Sequence, residues 1–221
     1  MAGRRMTRLR RLGIVVLGVL GVMLSSVEPA TAHVRAVDPP DGQFGMTVVS
    51  TRGTGCPAGM TSVITNSDKT AFTVTYSDYT AQNGGGVALF QARAQCVIGV
   101  SVSVPQGFTF GITSTTFRGY ADLADGATGT LDTQYWFVGQ PMTGHIRREY
   151  RGPFQDNWEA TDEVPLMAVQ WMPCRANYPL NINSQLIVRA GSVNPNTTSL
   201  MTMDATDSQV TTLYNVTWRP C

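Results

Sequence analysis

Residues 94–104 constrain the fold of this 221-residue chain more than any other segment. Ala94, Cys96, Ile98, Val100, Val102 and Val104 fall on one side of an extended backbone, with Gln95, Gly99, Ser101 and Ser103 on the other. A period of two separates an apolar from a polar face, the signature of a half-buried strand. Pro105-Gln106-Gly107 then turns the chain, and Phe108, Phe110 and Ile112 resume the alternation. Closing this as a hairpin predicts Val104 opposite Phe108, Val102 opposite Phe110 and Val100 opposite Ile112. The apolar face would then continue across both strands.

The pattern recurs. Val210, Thr212, Tyr214, Val216 and Trp218 share a face, as do Leu180, Ile182, Leu186 and Val188. Shorter strands are predicted at 46–50, 61–65, 70–76, 130–138, 145–151, 165–171 and 200–203, with a short helical turn over 156–164. No segment combines helical periodicity with caps, and 25 threonines follow residue 32. β-Branched residues at that density suit strands. The expectation is an all-β fold, an antiparallel β-sandwich of jelly-roll-like type in a single domain.

The N-terminus is an address. Arg4, Arg5, Arg8, Arg10 and Arg11 precede the uncharged apolar run 12–24, which ends before Ala30-Thr31-Ala32. That run is about 13 residues, short of the roughly 20 that span a bilayer, and reads as a secretory signal peptide. Residues 1–32 are therefore expected to be the signal peptide, 33–43 a loose N-terminal arm and 44–221 the sandwich domain. Cleavage after Ala32 removes five arginines and Glu28, leaving 11 basic and 14 acidic groups, net −3. A net acidic surface offers no general attraction to phosphate, so nucleic acid is not an expected partner. A secreted extracellular protein without a membrane anchor, monomeric, is expected.

Four cysteines remain after cleavage, Cys56, Cys96, Cys174 and Cys221, at spacings of 40, 78 and 47. These are unlike the close pairs of a zinc site, and an even number in an oxidising compartment predicts two disulfides. Of the three pairings, Cys56–Cys96 with Cys174–Cys221 is preferred, because each closes a moderate loop and the second ties down the C-terminus. Each would contribute about 3–4 kcal/mol.

From Gly53-Thr54-Gly55-Cys56-Pro57 onward the sequence resembles a family of small secreted proteins of bacteria and fungi, the domain of unknown function DUF4360. The resemblance runs through Arg93-Ala94-Gln95-Cys96, Phe117-Arg118-Gly119-Tyr120, Gly152-Pro153-Phe154, Trp171-Met172-Pro173-Cys174 and Leu180-Asn181-Ile182-Asn183. It covers about residues 44–221, and Arg175 stands where the family usually has glycine. The resemblance implies secretion and a β-rich fold, and no activity.

Known catalytic patterns are absent: no GxSxG, HExxH or Walker loop occurs. A Ser-His-Asp triad would have to use His145. An N-terminal His33 would chelate copper through its amino group and imidazole if His145 supplied a second ligand. Asp122 and Asp125 flank a glycine-rich turn that would suit Ca²⁺. Solvated turn carboxylates are the preferred reading there, so no cofactor is expected. A glycosidase pair could be drawn only from Glu149, Asp156 and Glu159.

The leading surface candidate is the hairpin 130–138 with 145–151. Val138 opposite His145 would set Trp136 against Arg147, Gln134 against Glu149 and Asp132 against Arg151. Trp136, Gln134, Asp132, Arg147 and Glu149 would then share the outer face, where a tryptophan among polar groups can stack on a sugar or anchor a protein. Trp171 and Trp218 are assigned to the core. The expectation is a non-catalytic protein that binds extracellular or cell-wall polysaccharide, or protein. The alternatives are a secreted polymer-acting enzyme, metal-dependent or carboxylate-based, and an inhibitor or toxin-like protein.

Overall fold

A computed structural model of the chain describes residues 36–174, 178–191, 196–203 and 211–221. Its strands are β1 (Gly45–Arg52), β2 (Thr61–Thr65), β3 (Ala71–Tyr76), β4 (Thr80–Asn83), β5 (Arg93–Ser103) and β6 (Phe108–Leu123). They continue with β7 (Thr128–Phe137), β8 (Gly144–Arg151), β9 (Phe154–Glu163), β10 (Leu180–Arg189), β11 (Ser199–Thr202) and β12 (Thr211–Pro220). Two antiparallel sheets form a β-sandwich. One has the order β1-β5-β10-β7-β8, and the other holds β2, β3, β12, β6, β11, β4 and β9.

The 16-residue β6 organises the seven-stranded sheet. Ser114–Thr116 pair with both β9 and β12 (Asn215 to Leu213), so those strands lie on opposite edges. Tyr120–Asp122 pair with both β9 and β11, which puts β11 beyond β12 on the same edge. The two inward faces meet in one core that includes Val74, Ile98, Phe110, Phe117, Leu131, Ile182 and Trp218.

Both disulfides form as preferred, Cys56–Cys96 and Cys174–Cys221. The Gly-Thr-Gly before Cys56 lets its loop lie against β5. A Cβ on Gly53, whose φ is +123°, would strike the Gln95 carbonyl, and one on Gly55 would strike the Tyr79 ring. Gly55 N instead donates to Gln95 O at 2.9 Å. Ahead of β1, Val37 N donates to Trp218 O at 3.0 Å, so this part of the N-terminal arm is tied to the sheet. His33, Arg175 and Val210 lie outside the described residues, as does the whole signal-peptide segment.

Four sequence expectations are corrected. Residues 94–104 and 108–112 are strands, but β5 pairs with β1 and β10 while β6 belongs to the other sheet. The turn at Pro105 is a crossing between sheets. Val100 and Ile112 both point inward because they line opposite walls of the core. Alternation reports which face is buried, and it is identical for a hairpin and for such an arch.

Residues 156–164 are not helical, since β9 runs through Glu163 with Trp158 and Ala160 buried and Glu159 exposed. The long edge of β6 needs backbone partners, and β9 supplies them. Residues 165–171 form no strand. Pro165 brings no N–H, a 3₁₀ turn follows at Leu166–Ala168, and only a single bridge joins Trp171 to Gly111. Finally, the β7–β8 hairpin exists in a different register: Gln134 faces His145 and Asp132 faces Arg147. The connecting loop is longer than the one assumed. The shift is even-numbered, so every side chain keeps its predicted face.

Candidate functional site

Ladder partners project to the same side of a sheet, so the registers lay out the outer face of the five-stranded sheet row by row. On β7 the inward residues Leu131, Thr133, Tyr135 and Phe137 are buried, which turns Asp132, Gln134 and Trp136 outward. On β10, Leu180, Ile182, Ser184 and Leu186 are buried and Asn181, Asn183 and Gln185 face out. The two strands align Asn181 with Trp136, Asn183 with Gln134, and Gln185 with Asp132. β5 adds Gln95 beside Gln185, and β8 adds His145 beside Gln134 and Arg147 beside Asp132.

The centre of this face is a hydrogen-bonded floor. Gln95 Nε2 donates to Asn183 Oδ1 at 3.1 Å. Arg147 Nη1 donates to Asp132 Oδ2 at 2.6 Å, and His145 Nε2 stands 3.0 Å from Asp132 Oδ1. The Asp132 side chain is only 11% exposed, and its two oxygens are engaged by the Arg147 guanidinium and the His145 ring in a partly desolvated setting. Arg151 pairs with Glu149 at 2.9 Å, not with Asp132 as the sequence register implied. Two polar atoms of the floor, Gln185 Oε1 and Thr130 Oγ1, are buried without a hydrogen-bond partner.

Trp136 is half-buried at one end. With Gln134, Gln140 and Met142 it lines a shallow cleft of about 270 Å³, and Met142 and Val138 are exposed beside it. The ring does not sit under Arg147. The cation–π contact described in the structure is elsewhere, with Arg219 4.5 Å over the half-buried Trp171. Trp218 belongs to the core as expected, its Nε1 donating to Lys69 O at 2.8 Å. Trp158 is also buried, packed on the bare backbone of Gly119.

Beneath the face lies a group of inward tyrosines. Tyr79 Oη donates to Ser184 Oγ at 3.1 Å. Burial pushes Tyr76 up to about 12 and raises Tyr79, Tyr135 and Tyr214 well above the ordinary tyrosine value. These hydroxyls stay protonated at physiological pH; Tyr79 bonds Ser184, whereas those of Tyr76, Tyr135 and Tyr214 are buried in the core without a hydrogen-bond partner.

The other sequence-stated candidates are dispersed. Asp122 Oδ2 accepts from Gln155 Nε2 at 3.4 Å, and Asp125 is exposed in the β6–β7 turn. Among the described residues, no three His, Cys, Asp or Glu side chains come together as metal ligands would. Glu159 pairs with Arg118 on the outer face of the seven-stranded sheet, at 2.7 Å, whereas Glu149 is on the five-stranded sheet. The two glutamates therefore do not flank one bond as a glycosidase pair must.

Sequence reasoning found the β7 and β8 members of the face and missed Asn181, Asn183, Gln185 and Gln95. Their signal was present as the polar half of each alternation. What was missing was the strand order, which sets β10 between β5 and β7.

The chain is 33% identical over 205 residues to an "Uncharacterized secreted protein" of Arthroderma benhamiae, covering 89% of this chain and 83% of the relative. Among solved structures it is similar to a TmCBM61 structure in complex with beta-1,4-galactotriose, at TM-score 0.28 and 8% identity, covering 80% of this chain and 88% of that one. It is also similar to the enzymatically active domain of tailspike protein 4 of bacteriophage CBA120, at TM-score 0.25 and 12% identity, covering 80% of this chain and 19% of that one. Backbone overlap at those scores is partial, and neither structure's ligand or activity bears on this chain. Among the described residues no helix is long and apolar enough to cross a membrane. The export signal and the relative agree that the protein is secreted. The family model for the domain of unknown function DUF4360 matches residues 43–221, and the chain belongs to that family.

Proposed function

We propose that the outer face of the five-stranded sheet binds extracellular polysaccharide without cleaving it. The observation that carries this reading is a half-buried indole, Trp136, at the end of a row of side-chain amides, Asn181, Asn183 and Gln185. A sugar ring has a C–H face that an aromatic ring covers and a rim of hydroxyls that both donate and accept. A side-chain amide matches that rim, since it also does both. Strands hold these groups at fixed spacing, so little ordering is required when a ligand arrives. The carboxylates on this face are engaged with arginines, and this favours binding over acid–base catalysis.

Pull-down of the secreted protein on chitin, cellulose and peptidoglycan tests the reading, with retention on at least one polymer expected. Trp136→Ala should weaken that retention about tenfold or more while leaving the melting temperature unchanged. Undiminished retention by that variant would overturn the proposed surface. Capture of a protein partner with no affinity for any glycan would replace the polysaccharide by a protein ligand.

A further inference from the structure

We infer that the ligand of this face is an acidic polysaccharide, one whose sugars carry carboxylates, and this rests on the polysaccharide-binding reading above. The outer face of the five-stranded sheet carries five arginines. Arg52 and Arg93 come from β1 and β5, Arg189 from β10, and Arg147 and Arg151 from β8. On the sheet itself Asp132 and Glu149 oppose them, each already paired, with Arg147 and Arg151 respectively; Asp78, off the sheet, lines a cleft with Arg93 but forms no ion pair with it. Arg52, Arg93 and Arg189 are exposed and make no ion pair among the described residues. The mature chain as a whole is expected to carry net −3, so among the described residues this face gathers a surplus of positive charge on a net acidic molecule. Such a distribution orients an approaching polyanion onto that face.

The arrangement has a direction. Trp136 shares a row with Asn181, and Thr130 shares one with Ile187, itself opposite Arg93 on β5. Six residues of strand separate Trp136 from Thr130, about 20 Å at 3.3–3.4 Å per residue. Arg189 lies one row further on, opposite Thr128. A polymer laid along the strands would stack one ring on Trp136, cross the amides, and present carboxylates to Arg93 and Arg189. A guanidinium takes a carboxylate with two parallel N–H donors, so one acidic group satisfies each arginine.

Affinity electrophoresis in polygalacturonate and in its fully methyl-esterified form separates charge from shape, because esterification keeps the polymer and removes its anions. The protein should be retarded at least about tenfold more strongly by the acid form, and the retardation should fall as salt rises. The double variant Arg93→Gln/Arg189→Gln should lose about tenfold or more of that affinity, while Arg118→Gln on the other sheet should leave it intact. Both substituted arginines are exposed, and circular dichroism and melting temperature check that the fold is kept. Equal binding of acid and ester forms, equal loss with Arg118→Gln, or retention of cellulose or chitin through Trp136 but not of polygalacturonate overturns the acidic ligand and leaves the binding surface standing. Failure to bind any glycan, acidic or neutral, removes both.

Discussion

The two outer faces of this sandwich are built from the same threonine-rich, alternating strands and end up chemically opposite. On the seven-stranded sheet, Arg118 is neutralised by Glu159 across the β6–β9 ladder, and Thr116 meets Thr161 at 3.1 Å. The N-terminal part of β6 is also covered there. Thr109 donates to Met172 O, and Val169 and Trp171 pack on Gly111. On the five-stranded sheet no such cover is formed among the described residues. That sheet presents an indole, a row of amides and more arginines than acids. A sheet with a satisfied outer face has little left to offer a ligand, whereas one that leaves an aromatic ring, buried acceptors and unpaired cations outward carries the groups that the proposed binding requires.

The tryptophans offer the strongest way to break that contrast. Trp158 enters the core from β9 and lies 5.6 Å from the Tyr150 ring, and Gly119 is bare where it packs. Trp158→Ala should cost about 3–5 kcal/mol, read as a lowered denaturation midpoint with unchanged slope. Glycan affinity of the folded fraction should not change. The Trp136→Ala variant should do the reverse. If both variants destabilise alike, the distinction between a structural and a binding sheet fails.

Alkali tests the interior that both sheets share. Tyr76 and Tyr214 enter it from the seven-stranded sheet and Tyr135 from the five-stranded one. A tyrosine whose folded pKa is raised favours folding fully below the unfolded value near 10, because the neutral form predominates in both states. Above that value the unfolded chain releases its proton first, so stability falls as pH rises through the folded value, about 12 for Tyr76. Tyr76 alone should remove on the order of 2–3 kcal/mol across that window. Tyrosinate absorbance and strand circular dichroism should change together, in one transition. Separate transitions would mean that the sheets are held independently.

Much of this was legible in the sequence, for a definite reason. Burial of one face writes a period of two into every long strand, so β5, β7, β10, β12 and the start of β6 could be read directly, whereas residues 113–123 of β6, beyond an irregularity in its pairing with β12, were not. The outward side of Asp132, Gln134 and Trp136 survived even a wrong β7–β8 register, because the error was an even number of residues. Pairing was not legible. Val100 and Ile112 carry the same apolar signal whether they lie side by side in one sheet or line opposite walls of the core, and here they line opposite walls. Trp158 falls inside the stretch 156–164 expected to be a short helical turn, although Trp158 and Ala160 already mark the inward side of a strand. The proposed binding face needed strand order most of all. Gln95, Asn183 and Gln134 are distant in sequence, and only the β5-β10-β7 order makes them neighbours.

The ion pairs give the smallest effects and the finest comparison. Glu159 is exposed, and its hydrogen bond from Arg118 holds its carboxyl below the usual value. That pair supports folding above about pH 4.5 and loses its contribution as the pH falls further. Glu159→Gln should cost less than about 1 kcal/mol, as exposed pairs do. Asp132 is nearly buried and serves both Arg147 and His145, so Asp132→Asn should cost about 1–2 kcal/mol, because Arg147 loses its charged partner. The same substitution adds one more uncompensated positive charge to the five-stranded face and should therefore tighten binding of polygalacturonate even as the melting temperature drops. Glu159→Gln also raises the net charge by one, but on the far side, and should leave that affinity where it was. Equal tightening by both variants would show that net charge, and not its placement on one sheet, governs the encounter.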